Sequence, residues 1–261
     1  MSNNTKQVSK TEIEEICRKL KLVDIRENYE DIISEAVSAK EGYLSFMHRL
    51  LSNEVQGRKD RLSDRLIIKA GFDYVKTLDE IAFDFNASLN YQYIKDLGTL
   101  SFMNHAENII IIGPPGVGKS MIATGIGVNA CRAGKKVLFC NAKELMDDLN
   151  DSMCKGNLKQ ELKKLSKIEL LIIDELSYLK MDRERESIFF QIIRQRYEKC
   201  SLIITTNLPL GRWDEVFTGQ LAATAILDRL MHHYHVINIT GDSFRVKGND
   251  YIMKKEHANE S

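Results

Sequence analysis

Apolar residues recur at two different periods along this chain of 261 residues, and the change of period divides it. From Thr11 to about Ala70 the spacing is helical: Ile13, Ile16, Cys17 and Leu20 fall at i, i+3, i+4 and i+7, one face of a 3.6-residue turn. Thr11 with Glu14, and later Ser38 with Glu41, have the S/T-x-x-E spacing of a capping box, in which hydroxyl and carboxylate satisfy backbone donors at a helix start. The second pair opens a segment carrying Tyr43, Leu44, Met47, Leu50 and Leu51. No proline interrupts this third of the chain, so long helices are expected, with Gly71 placed to end the last of them. Residues 72–103 are mixed and read as a linker plus a short helix. The expected organisation is a helical amino-terminal domain over 1–75, a linker over 76–105, a second domain over 106–246 and a polar, flexible tail over 247–261.

From Asn108 onward short β-branched runs alternate with helical patterns. "NIIII" precedes a helix to Arg132 with Gly134 as its stop. "KVLFC" precedes two helices, "ELLIID" a helix to Lys199, "SLIITTN" a helix to about His233, and "HVINI" closes the series. Continuous apolar strands alternating with helices predict an α/β fold with a doubly wound parallel sheet covered on both faces.

Composition narrows the setting more than the partner. Hydrophobic residues make up 43% and charged residues 28%, ordinary values for a globular chain, which at this length buries about 70 to 75% of its unfolded surface. The 37 basic and 37 acidic side chains cancel, so net charge selects no class of ligand. Cys17, Cys131, Cys140, Cys154 and Cys200 form no C-x-x-C pair and fit reduced thiols in a cytoplasmic protein. The amino terminus lacks the apolar stretch of a signal peptide, and no apolar run approaches the roughly 20 residues that span a bilayer, so no membrane partner is expected.

Chemistry enters where the first strand ends. Gly113, Pro114, Pro115, Gly116, Val117, Gly118, Lys119, Ser120 and Met121 follow "NIIII" and open a helix, and Gly113 to Ser120 matches G-x-x-x-x-G-K-[ST]. Glycines in such a loop let backbone N–H groups turn toward a β-phosphate, and the helix amino terminus adds its positive end. Lys119 is placed to reach the β and γ phosphates of ATP, and the Ser120 hydroxyl to ligate Mg²⁺. Gly125 and Gly127 lie inside the following helix, each costing about 1 kcal/mol relative to Ala, which close packing against the sheet would offset.

The next apolar strand, "LLIIDEL", ends in Asp174 and Glu175, where an open α/β sheet places its ligand. Asp174 is suited to hold Mg²⁺, and Glu175 to orient and deprotonate a water. Glu175 is the argument for hydrolysis; the alternative makes Asp174 a helix cap and Glu175 a surface charge. Asn207, at the end of "SLIITTN", is a neutral amide able to hold the attacking water, or else a turn residue before Pro209. His232, His233 and His235 have no acidic or cysteine ligand at metal-site spacing and read as surface or interface residues. Trp213, the only tryptophan, reads as a packing anchor.

Taken together, the Walker A run "GPPGVGKS", the Walker B run "LLIIDEL", a sensor-1-like "TTN" and the stretch "AILDRLMHHYHVINITGDSFR" resemble the IstB-like AAA+ ATPases, helpers of insertion-sequence transposases related to DnaC helicase loaders. The resemblance covers nearly the whole chain, including the earlier "AGFDYVKTLDEIAFDF". It implies an AAA+ P-loop fold behind a small helical domain, ATP and Mg²⁺ as ligands, double-stranded DNA and a cognate transposase as partners, and a homo-oligomer with ATP sites between subunits. The alternative it carries is a DnaC-like replicative helicase loader. By the same resemblance Arg229 in "LDRL" matches the arginine finger that completes a neighbouring site, and Arg245 in "GDSFR" a sensor-2-like arginine. From the residues alone, Arg229 could equally form a helix-surface ion pair with Asp228 or another acid. Ser120 stands where many members have Thr, and both supply a hydroxyl.

Before the Walker B strand, "CKGNLKQELKKLSK" carries Lys155, Lys159, Lys163, Lys164 and Lys167 against Glu161. Lys155, Lys159 and Lys163 recur every four residues, a spacing that lines one helix face and could track phosphates or simply face solvent. In initiator and loader relatives the insert at this place lines the DNA path, and the resemblance therefore favours DNA. "RKDRLSDRLIIK" is a second basic stretch, weakened by its alternating acids.

Overall fold

The computed structural model describes residues 9–81 and 89–241 and divides the chain into two compact units, Met1–Ser63 and Asp64–Ser261. The division falls inside the third helix, upstream of the expected linker, and the expected tail over 247–261 lies outside the described residues.

In the first unit, helices α1 (Lys10–Leu20) and α2 (Val23–Ser38) are followed by α3 (Tyr43–Ala70), which runs on into the second unit. The capping box of α1 is Ser9 with Glu12, not Thr11 with Glu14: Ser9 Oγ accepts from the Glu12 N–H at 3.3 Å, and Glu12 Oε2 accepts from the Ser9 N–H at 3.0 Å. Glu14 pairs instead with Arg18, one turn on. Ser38 caps nothing, because it is the last residue of α2 and donates to Ser34 O, while Glu41 pairs with Arg49. The apolar pattern expected on α3 is also not its buried face. Tyr43, Leu44, Met47 and Leu51 are exposed, whereas Leu50 packs beside Cys17, Ile25 and Tyr29. Polar anchors set that rotation. Glu54, 4% exposed, accepts the N–H groups of Asp24 and Ile25 at the start of α2, where Leu22 offers no side-chain cap, and Arg61 pairs with Asp24. A carboxylate at a helix amino terminus satisfies orphan donors and opposes the positive dipole end.

In the second unit a five-stranded, all-parallel sheet has the order β2-β3-β4-β1-β5, with β1 Asn108–Ile112, β2 Val137–Asn141, β3 Leu170–Asp174, β4 Ser201–Thr206 and β5 Tyr234–Asn238. Alternate residues of β1 to β4 feed two cores. Ile109, Ile111, Ile172 and Ile203 pack under α4 (Tyr91–Gly98) and α5 (Lys119–Arg132). Ile110, Leu171, Ile173 and Leu202 pack under α6 (Ala142–Cys154), α7 (Leu158–Leu165), α8 (Arg183–Arg196) and α9 (Gln220–Leu230). That is the doubly wound α/β fold expected from alternating strands and helices.

The described residues of the expected linker are built into this core: Leu78, Ile94, Leu97 and Phe102 are buried with the strand isoleucines. Gly125 of α5 makes room for Leu78, since a Cβ there would stand 2.7 Å from Leu78 Cδ2, and Gly127 lets α5 close on the sheet, where a Cβ would stand 2.8 Å from Ile172 Cδ1 of β3. On the opposite face the buried Arg196 of α8 donates to the carbonyls of Leu165, Ile168, Glu169 and Ser201, tying the end of α7 to the starts of β3 and β4. Burial pulls its guanidinium down to about 10. Among the described residues no helix is long and apolar enough to cross a membrane.

Candidate functional site

Sheet order alone brings the candidate chemistry together. β3, β4 and β1 are consecutive neighbours, so the acidic pair after β3, the Thr-Thr-Asn run closing β4 and the loop after β1 emerge side by side at the carboxyl edge. This is where an open α/β sheet binds ligands. Gly116 and Gly118 have φ of +78° and +97°, left-handed values that a residue with a Cβ rarely adopts, and they turn the loop before α5 begins at Lys119. Lys119 is buried, and its ammonium donates to the carbonyls of Gly113 and Pro114 at 2.8 Å each, so the cation rests on its own loop.

Ser120 Oγ lies 2.9 and 2.8 Å from the two carboxylate oxygens of Asp174, which is 6% exposed. Hydroxyl and carboxylate are hard oxygen donors, the set that Mg²⁺ takes alongside waters and substrate phosphates, so the residues fit the ion the loop motif implies. Glu175 follows in a left-handed conformation, φ +61° and ψ +41°, costing roughly 1–2 kcal/mol for a residue with a Cβ. Two contacts hold it there. Its N–H donates to Thr205 Oγ1 at 2.9 Å, and its Oε2 accepts from Asn141 Nδ2 at 3.1 Å. Glu175 is exposed while Asp174 is buried, a division suited to one group meeting water and the other a metal.

Asn207 follows β4 directly, and its backbone N–H donates to Ser177 Oγ at 3.0 Å, which ties the turn after β4 to the turn after β3. Asn141, Ser177 and Thr205 are thus parts of the site that sequence reasoning missed. Asn141 carried a usable signal: it lies between a strand and a helix, the position of a helix cap, and its Oδ1 does accept the Lys143 N–H of α6. Ser177 carried none, and Thr205, although it opens the sensor-1-like "TTN", carried none for this contact, because their partners are 30 residues away. Beside the site, burial and then the charge of Asp174 push the Cys140 thiol up to about 12, leaving it inert.

Arg229 stands apart from this cluster. Its Nη1 donates to Ala225 O at 2.7 Å and its guanidinium lies 4.7 Å over the Phe190 ring; among the described residues it forms no ion pair with Asp228 or any other acid. Arg245 lies outside the described residues. The lysine row is interrupted. Lys155 caps the end of α6, Gly156 turns the chain at φ +75°, and only Lys159, Lys163 and Lys164 share α7, with Lys164 paired to Glu161. All four lysines are exposed. His235 bridges the Tyr93 hydroxyl and the Glu107 carboxylate at 2.9 Å each, and Trp213 is fully buried beside Phe217.

Residues 16–251 match the family described as IstB-like ATP binding protein. A protein of Pseudomonas aeruginosa described as a putative ATP-binding protein of insertion sequence IS21 is 37% identical over 236 residues, covering 90% of this chain and 89% of its own. Among solved structures, AMPPCP-bound DnaA from Aquifex aeolicus superposes with a TM-score of 0.56 at 19% identity, covering 72% of this chain and 57% of its own. The DnaC helicase loader superposes with a TM-score of 0.50 at 22% identity, covering 66% and 98%. These two likenesses are of fold and show the parallel α/β sheet to be of the AAA+ P-loop kind. With a matched stretch that runs from the first helix past the last strand, the chain belongs to the IstB-like ATP-binding protein family.

Proposed function

We propose that the chain is an ATP-dependent, DNA-binding ATPase that assembles on target DNA and recruits a transposase during insertion-sequence transposition. The observation that carries the hydrolytic part is the convergence of Ser120, Asp174 and Glu175, with the first two in hydrogen-bond contact and the third held beside them from two sides. Substrate phosphates offer Lys119 stronger partners than the two carbonyls it now contacts. Ser120 and Asp174 would hold Mg²⁺, which would supply neutralisation of the charge on the transferring phosphoryl group. Glu175 accepts a proton from the attacking water, and the Asn207 amide orients that water.

Arg229 serves the site of a second copy. Its guanidinium is free of carboxylate partners among the described residues and is presented on α9 by stacking on Phe190, which leaves it available to a phosphate. The exposed Lys159 and Lys163 of α7, with Lys155 and Lys164, form the DNA-facing surface, and the amino-terminal helices carry partner or assembly contacts. The helicase-loader alternative has only a likeness of fold behind it, whereas the transposition reading has the relative at 37% identity.

The test is phosphate release with and without duplex DNA. Wild-type protein should turn over ATP faster with DNA, and Glu175→Gln should bind ATP but release no phosphate. Turnover by Glu175→Gln at the wild-type rate would remove Glu175 as the base. Capture of a hexameric helicase in place of a transposase would replace the biological reading with the loader one.

A further inference from the structure

We infer that Thr205 is a positioning residue that sets both members of the acidic pair through one hydroxyl. The inference rests on the ATPase reading of the site. Thr205 is fully buried in β4, between β3 and β1, and its Oγ1 donates to Asp174 Oδ1 while accepting the Glu175 N–H at 2.9 Å. A hydroxyl has one hydrogen to give, and here both its donor and an acceptor position are committed to two consecutive residues with different tasks. Asp174 receives Ser120 from the phosphate loop on one side and Thr205 from β4 on the other, so its carboxylate is oriented by two elements at once.

The Glu175 turn needs such a hold. A left-handed residue with a Cβ persists only where its surroundings over-determine it, and such residues concentrate at functional sites. The Thr205 hydroxyl fixes the backbone end of Glu175, and Asn141 fixes the tip of its side chain. Without the hydroxyl, Asp174 keeps only its phosphate-loop partner and the Glu175 N–H loses its acceptor, so the turn can relax toward ordinary backbone and carry the carboxylate with it. The phosphate loop, by contrast, is held by other groups: Lys119 rests on Gly113 and Pro114, and Ser120 on Asp174. Loss of the hydroxyl should therefore damage the chemical step and spare nucleotide capture.

The experiment is steady-state ATP turnover with KM and kcat separated, on full-length protein. Thr205→Val keeps the shape and removes the hydroxyl; it should lower kcat about tenfold or more while KM stays within about threefold of wild type. Thr205→Ser should keep at least about a third of the wild-type kcat, and Thr205→Ala should be as slow as Thr205→Val. The Ser and Ala variants lose the same methyl and differ only by the oxygen, so their comparison decides the matter if the Val variant does not fold. Equal kcat for Ser and Ala, wild-type kcat in Thr205→Val, or a change confined to KM would overturn the inference while leaving the ATPase reading intact. Absence of turnover in the wild-type protein would overturn both.

Discussion

The Asn141 side chain closes β2 by capping α6 with its oxygen and holding the Glu175 carboxylate with its nitrogen, 3.1 Å away, so one amide joins a helix start to the candidate base. Asn141 and Asp174 are also partners in the β2–β3 register, which makes the approach a property of the sheet rather than of a loose loop.

The two halves of that amide can be separated. Asn141→Asp retains a capping oxygen, so the melting temperature should stay within about 2 °C of wild type, while a carboxylate facing Glu175 repels it. Turnover should fall about tenfold with ATP affinity little changed. Asn141→Ala loses the cap as well and should cost about 1 kcal/mol of stability in denaturant unfolding.

If Arg229 acts on a neighbouring copy, two inactive variants should rescue each other. Arg229→Ala keeps an intact acidic pair, and Glu175→Gln keeps an intact arginine, so mixed assemblies contain some junctions with both. Phosphate release from an equimolar mixture should reach about a quarter of wild type when each variant alone is nearly silent, as expected for random pairing of independent sites. A mixture no faster than its components would confine Arg229 to its own subunit.

The α7 surface predicts a graded response to charge. Lys159→Glu with Lys163→Glu should weaken ATP-dependent DNA binding and flatten its salt dependence, by roughly one unit of slope for each phosphate no longer neutralised. Lys155, on the cap before Gly156, should contribute independently of these two because it belongs to a different helix. Wild-type affinity with a wild-type salt slope would reject the surface.

Glu54 makes the first unit acid-sensitive. Burial by itself would raise its pKa, but the Arg58 guanidinium and the N–H groups of Ile25 and Asp24 outweigh it and hold the carboxyl below 4.5. A carboxylate depressed in the folded state adds stability above its unfolded pKa, and that contribution is lost as pH falls through the folded value. Glu54→Gln should therefore cost about 1.5–3 kcal/mol at pH 7, and the difference from wild type should shrink below about pH 4.5. Circular-dichroism melts across that range measure it; a difference independent of pH would deny the carboxylate this role.

Much of the second unit was legible because its signals are local. The runs of Ile and Leu, the Gly-rich loop that leads from Gly113 into the helix at Lys119 and the acidic pair closing "LLIIDE" each announce themselves within about ten residues, and all five strands stand where those runs placed them. The first unit was read less well, since several residues could cap or bury with equal local merit: Ser9 displaced Thr11, and Glu54 with Arg61 turned α3 away from its apolar stripe. The lysine spacing failed for a related reason, as one glycine with positive φ cut the periodic row in two.

What sequence alone determined, then, is the alternation of buried strands and helices and the identity of the phosphate loop, because backbone propensity and hydrophobic period act between near neighbours. Only the tertiary structure decided which side chains hold the acids in place. Thr205 and Asn141 reach Asp174 and Glu175 across some thirty residues of chain, and that meeting exists only once β2, β3 and β4 lie side by side.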